Sequence, residues 1–240
     1  MKSKPVIVTL DLETSPLTGY TWGVWEQNVI EVIKRSSVLC ASWKVLGEKK
    51  VHNVSQFYSK GFKPGIENDY EVVLKMREVL DMADIVVTQN GNSFDIPILN
   101  SRFMEHGIPP PSPYKKIDTK RIAKSIFKFE SNKLEHMVQY AGIASKGNPG
   151  GFAAWKGCME GKKKAWDSMI KYNNQDVVIT EQLYLKFRPY MENHPNLNVI
   201  TDRLDACPRC QNDDLQSRGF SITATGKKRR YQCVGAKGCG

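Results

Sequence analysis

Apolar residues run almost unbroken over residues 5–10 (PVIVTL) and stop at Asp11-Leu12-Glu13-Thr14, the pattern of a short buried strand ending on acids. Residues 38–46 and 50–57 are rich in β-branched and aromatic side chains around a Gly47-Glu48 turn, and predict paired strands. Over residues 70–83, Val72, Val73, Met76, Val79, Leu80 and Ala83 recur at helical spacing. Residues 85–88 predict a buried strand broken by Asn90-Gly91. A helical pattern over 94–106 ends at Gly107, and Ile108-Pro109-Pro110-Pro111 forms a stiff connector. Residues 118–127 predict a helix. Asn132 and Glu135 have capping-box spacing for another over 133–140, closed by Gly142. The glycines and proline of 144–151 predict a loop, and a long helix follows over 163–187, halted before Pro189. Strands first, then helices around one more buried strand, make an α/β layout with a mixed sheet.

At 240 residues the chain has room for a domain of just under 200 and a small appendage. A hydrophobic share of 40% with 25% charged residues excludes wholesale disorder. No apolar run approaches the ~18 residues of a membrane helix, and Asp11 interrupts the N-terminal apolar stretch too early for a secretory signal. A soluble, cytoplasmic protein with no membrane partner is expected. The net charge of +10 is uneven: residues 115–164 hold 12 Lys/Arg against 4 Asp/Glu, and residues 201–240 hold 8 against 4. Such blocks suit a polyanion partner or a solvated lysine-rich surface.

Three groups of acids carry the candidate chemistry. Asp11 and Glu13, two apart on a strand, leave the same face and can share a divalent cation, or they stand on an exposed turn. Asp95, in Asn90-Gly91-Asn92-Ser93-Phe94-Asp95, follows a buried strand and opens a helix, as a ligand or as a plain N-terminal cap. Tyr172 and Asp176 are four apart on the long helix and project from one face. Asp176 lies hard against Val177-Val178-Ile179, where an acid is costly to bury unless something pairs it.

In this order the three groups resemble the DEDD superfamily of 3′→5′ exonucleases, which have a ribonuclease H-like fold. Asp11 and Glu13 match the first motif, Asn90 with Phe94-Asp95 the second, and Tyr172 with Asp176 the third. The tyrosine subclass fits, because Lys171 occupies the place where the sibling subclass has histidine. The resemblance spans about residues 6–189 and is closest to stand-alone, often phage-encoded enzymes, in a bacterial cell or an infected host. It implies two Mg²⁺ or Mn²⁺ ions straddling the scissile phosphate. Asp11, Glu13 and Asp176 would hold one, Asp11 would bridge to the second, and Asp95 would act through the second ion's waters. Tyr172 would orient the attacking water, Thr14 would line the pocket of the last nucleotide, and Asn90 and Phe94 would flank it. The substrate implied is nucleic acid, single-stranded or at 3′ ends, with DNA favoured. A non-catalytic nucleic-acid-binding protein and an endonuclease on the same fold are the alternatives.

Trp22 and Trp25 are expected to form the core of a hairpin, with base stacking as the other reading. The four histidines have no ligand-like spacing, and Cys40 and Cys158 are expected to be packed thiols. Cys207-Pro208-Arg209-Cys210, then Cys233 and Cys239, look like a zinc ribbon holding one structural Zn²⁺, with strands over 218–224 and 229–233 about Thr225-Gly226. The five residues between Cys233 and Cys239 depart from the usual two. The expected organisation is a nuclease domain over 1–192, a linker over 193–205 and the ribbon over 206–240. The Lys227-Lys228-Arg229-Arg230 run would add affinity for a phosphate backbone.

Overall fold

A computed structural model describes residues 4–66, 68–144, 150–235 and 239. In chain order the elements are β1 (Ile7–Thr14), β2 (Thr18–Tyr20), β3 (Glu31–Lys34), β4 (Val38–Val45), β5 (His52–Ser55), α1 (Tyr70–Met82), β6 (Ile85–Thr88), α2 (Asp95–Glu105), β7 (Lys115–Asp118) and α3 (Thr119–Ile126). There follow α4 (Leu134–Tyr140), α5 (Phe152–Met159), α6 (Lys163–Phe187), α7 (Asn198–Thr201), β8 (Leu215–Thr223) and β9 (Gly226–Cys233). Five strands form the main sheet in the order β5-β4-β1-β6-β7. β4 runs antiparallel to β1 and β5, whereas β6 and β7 run parallel to β1, so the sheet is mixed as expected.

The alternation along β1 decides where the acids go. Val8, Leu10 and Leu12 pack with Val72, Met76 and Leu80 of α1 and Leu99 and Phe103 of α2. Ile7, on the other face, packs with Ile85, Val87 and Tyr184 of α6. A period of two therefore sends Asp11 and Glu13 to the α6 side. Asp11 stands opposite Ser42 and Glu13 opposite Cys40 on β4.

Several expectations need correction. β7 was not predicted: its sequence, Lys-Lys-Ile-Asp, buries only Ile117 and Asp118, and pairing with β6 makes it a strand. α5 was not predicted either. The capping box at Asn132 does not form, because α4 is preceded by Lys133 without a side-chain cap and Asn132 Oδ1 has no partner. Residues 145–149 of the expected loop lie outside the described residues. The 193–205 connector holds α7, and Leu197 within it is buried in the cluster of Tyr184 and Met191. Trp22 and Trp25 form no core, being 89% and 83% exposed on the 21–30 loop that joins β2 to β3. Among the described residues no helix is long and apolar enough to cross a membrane.

Candidate active site

β1 runs on beyond the end of its pairing with β6 while β4 stays beside it, and the site lies there. The β1–β6 pairing covers only Ile7–Thr9, which leaves the Leu12 N–H without a strand partner on that side. Asp95 replaces it: Oδ1 accepts the Leu12 N–H at 3.0 Å, tying the start of α2 to β1 across 83 residues of chain. The turn that delivers Asp95 needs its particular residues. Asn90 sits at φ +66°, and a Cβ on Gly91 would lie 2.3 Å from Thr88 Oγ1, so no larger residue fits there. Asp118 secures the turn from below, accepting the N–H groups of Asn90 and Asn92 at 3.0 and 3.1 Å while capping α3 through those of Lys120 and Arg121.

α6 supplies the other wall. Asp176 brings its carboxylate to Asp11 and Glu13, and one ligand oxygen from each of the three lies within 4.8 Å of the other two. Asp95 lies outside that group of three, buried beside it, and its charge raises the pKa of both Asp11 and Glu13. Tyr172 lies one turn before Asp176 on α6, and its hydroxyl lowers the Asp176 pKa against the larger effect of burial. Thr14 closes β1 half-buried beside Glu13. Phe94, 40% exposed, precedes Asp95, and Asn90 spends its N–H on Asp118.

Two supporting residues escaped the sequence reading. Asn173, fully buried on α6, donates from Nδ2 to Asp11 Oδ2 at 2.7 Å. Its side-chain oxygen faces Asn53 Nδ2 at 3.5 Å and the Cys40 thiol at 3.8 Å. Asp118 is the second. Neither belongs to a recognisable spacing; only the packing of α6 on β1 and of β7 on β6 reveals them. The histidines lie outside this group of acids, with His106 beside Asp69 and His194 beside Tyr184. Cys40 and Cys158 are buried, and burial pushes both thiols up, Cys158 to about 12, so both are protonated.

The electrostatics are those of crowded acids. Burial, then the charges of Asp95, Glu13 and Asp176, hold the Asp11 carboxyl well above the usual range. Burial and then Asp176 push Glu13 up to about 8. Asp95 rises to about 7, through burial against the lowering effect of its backbone hydrogen bonds, and Asp176 rises to about 6. Burial, then the charge of Asp176, raises the Tyr172 phenol further above neutrality, so it stays protonated. Half-buried carboxylates that repel one another at this range fit a hard divalent cation, which would neutralise them.

A second donor set lies in the C-terminal segment. The sulfurs of Cys207, Cys210, Cys233 and Cys239 all lie within 4.8 Å of one another, Cys207 and Cys239 at 3.5 Å and Cys210 and Cys233 at 3.6 Å. A disulfide needs about 2.05 Å, whereas four thiolates about 2.3 Å from one tetrahedral zinc stand about 3.8 Å apart. Against the effect of burial, the N–H groups of Arg209 and Cys210 lower the Cys207 thiol, which suits a thiolate ligand. Hydrogen bonds join this knuckle to the preceding chain: Arg209 Nη1 donates to Pro189 O at 2.7 Å, Leu197 N–H to Pro208 O at 2.8 Å, Asn198 Nδ2 to Ala206 O at 2.9 Å and Thr201 Oγ1 to Gln211 Oε1 at 2.6 Å. β8 and β9 extend from it as a hairpin turning at Ala224-Thr225.

A family profile described as the RNase_H superfamily matches residues 8–188. No curated protein matches the chain. Among solved structures, the family B DNA polymerase from the hyperthermophilic archaeon Pyrobaculum calidifontis is similar at a TM-score of 0.57 and 14% identity, over 78% of this chain and 25% of the polymerase. The likeness is one of fold, and the chain spans about a quarter of the polymerase's length. The mixed sheet with its flanking helices is ribonuclease H-like.

Proposed function

The chain belongs to the RNase_H superfamily, and on that premise we propose that it is a metal-dependent 3′→5′ exonuclease of the tyrosine DEDD class. It hydrolyses phosphodiester bonds of nucleic acid, DNA in preference to RNA, and releases nucleoside 5′-monophosphates. The observation that carries this reading is the meeting of Asp11 and Glu13 from β1 with Asp176 from α6, beside the buried Asp95. A protein that only binds nucleic acid has no use for such mutually repelling acids.

Asp11, Glu13 and Asp176 would hold one Mg²⁺ or Mn²⁺, Asp11 would reach a second, and Asp95 would act through that ion's waters. When bound, such ions supply an activated water and a counter-charge for the leaving 3′ oxygen. The chain's own residues do the positioning. Asn173 fixes the Asp11 carboxylate, Asp118 fixes the Asp95 turn, and the Tyr172 hydroxyl orients water as a donor. Lys116 and Arg121, which border a cleft with Asn92, are placed to draw in phosphates. In this reading residues 1–192 form the nuclease unit, 193–205 a packed connector and 206–240 a zinc module that adds affinity for longer strands.

Chromatography of DNA and RNA oligonucleotides incubated with Mg²⁺ or Mn²⁺ tests the activity. Mononucleotides are expected. Shorter oligonucleotides alone would make it an endonuclease, and intact strands retained on the protein would make it a binding module. Tyr172→Phe should slow turnover by about 100-fold, the low end of the range for a positioned proton-handling group and less than loss of a ligand.

The shifted acids also predict a pH dependence. Unfolded, these carboxyls lose their protons near pH 4; folded, Asp176, Asp95 and Glu13 keep theirs to about 6, 7 and 8. Between those limits the folded chain binds more protons, so its stability without added divalent ions should fall as pH rises from about 4 to about 8. Adding Mg²⁺ or Mn²⁺ at pH 8 should restore it. Thermal melts across that range, with and without the ion, check both signs; a metal-free melting temperature that climbed steadily to pH 8 would contradict the crowding of the acids.

A further inference from the structure

Among the described residues β2 and β3 form a ribbon of two strands only, and the 21–30 loop that joins them is exposed. Trp22 and Trp25 are 89% and 83% exposed, with Tyr20, Val24 and Ile30 exposed around them. So many large apolar side chains exposed within one short stretch of chain suit an interaction site. Its root is tied to the catalytic edge of the sheet: Ser15 N–H donates to Ser37 O and Ser37 N–H to Ser15 Oγ, both at 2.9 Å. Ser15 is two residues beyond Glu13, so the ribbon leaves the main sheet at the end of β1 that carries the carboxylates. The ribbon itself is tightly paired, since a Cβ on Gly19 would lie 2.3 Å from Val29 Cγ1. On the returning strand Lys34 is anchored to Gly65 O at 2.7 Å, and Arg35 beyond it, 3.9 Å from Glu105 Oε2, keeps a side chain 78% exposed.

The partner that must reach this edge, if the proposed chemistry is correct, is a nucleic-acid strand. Indole rings stack on unpaired bases whatever their sequence, and a cation at the root suits the phosphates of the same strand. We propose that the β2–β3 ribbon is a stacking arm for an unpaired nucleic-acid strand, with Trp22 and Trp25 taking its bases while the strand's end lies at the carboxylates. The choice of partner rests on the nuclease reading.

The test compares the full chain with Trp22→Ala/Trp25→Ala, both carrying Asp11→Asn to prevent turnover, in binding a fluorescein-labelled 12-nucleotide single strand and its duplex. Neither ring supports the core, so the double variant should melt with the parent. It should bind the single strand at least about 30-fold more weakly, in line with two bases stacked at about 1–3 kcal/mol each. The salt slope should not change, because no charge is removed. Quenching of tryptophan fluorescence on binding should largely disappear, leaving only Trp43, Trp155 and Trp166 of the chain's five. In the chain with native Asp11, the double substitution should raise KM for the single strand by a similar factor and leave kcat nearly unchanged. Unchanged affinity and quenching would overturn the arm while leaving the nuclease reading intact. A native dimer that becomes monomeric in the variant, with equal affinity for the strand, would overturn it too, because the surface would then join two copies. If the native chain cuts nothing yet binds single strands through these two rings, the nuclease reading fails and the arm stands.

Discussion

Asp11→Asn should lose cleavage by three orders of magnitude or more, about 4 kcal/mol of barrier, and yet melt no lower than the native chain without added divalent ions. β1 lies between β4 and β6, so Asp11 is at the centre of the sheet, with Glu13, Asp95 and Asp176 all raising its pKa. In the proposed mechanism it is the one carboxylate shared by both ions, so removing its charge removes the site. Asparagine keeps the oxygen that accepts Asn173 Nδ2 at 2.7 Å, and the shape is conserved. What disappears is one of four mutually repelling groups, which relieves the metal-free fold at pH 8. Single-turnover cleavage and a thermal melt on the same preparation check both halves. Near-native cleavage would remove Asp11 from the chemistry, and collapse of the fold would make its role structural.

Truncation after residue 205 should leave a folded chain that still cuts short strands but holds long ones poorly. The cut belongs there and not after Glu192, because Leu197 completes the cluster around Tyr184, and His194 meets the Tyr184 hydroxyl at 2.8 Å. It removes 7 Lys/Arg and 2 Asp. The β8–β9 hairpin contains five of those basic residues and no acid. If they contact phosphates, the slope of log affinity against log salt should become shallower by up to about 3.5, at roughly 0.7 per contact on a single strand. Elemental analysis should find about one zinc in the full chain and none in the truncated one. Equal zinc in both, or an unchanged salt slope, would give the cysteines another task.

The parts of the site that could be read from the sequence are those where spacing alone fixes a face. Asp11 and Glu13 share one because a strand repeats every two residues, and Tyr172 and Asp176 share one because a helix nearly repeats every four. Asp95 was legible as the acid that follows a buried strand and opens a helix. Asn173 was not, because it is one of two adjacent asparagines in a polar stretch, and only the seating of α6 against β1 shows which reaches Asp11. Asp118 reads as the start of a helix, but its grip on the 90–92 turn depends on β7 lying beside β6. β7 itself is four residues with two lysines, too short and too charged to declare itself. The β2–β3 ribbon misled in the opposite sense: its apolar content reads as core, and nothing local says that no other element covers it.

The central claim is that these carboxylates remove nucleotides from a 3′ end. Its most direct test is a time course of full-length protein on a 5′-labelled single strand, with and without Mg²⁺, resolved at nucleotide spacing. The expected result is a ladder that shortens one nucleotide at a time from the 3′ end, only with the ion, and is absent in Asp11→Asn. Immediate release of the 5′-terminal nucleotide, a fixed internal cut, or an identical ladder without any divalent ion would contradict it.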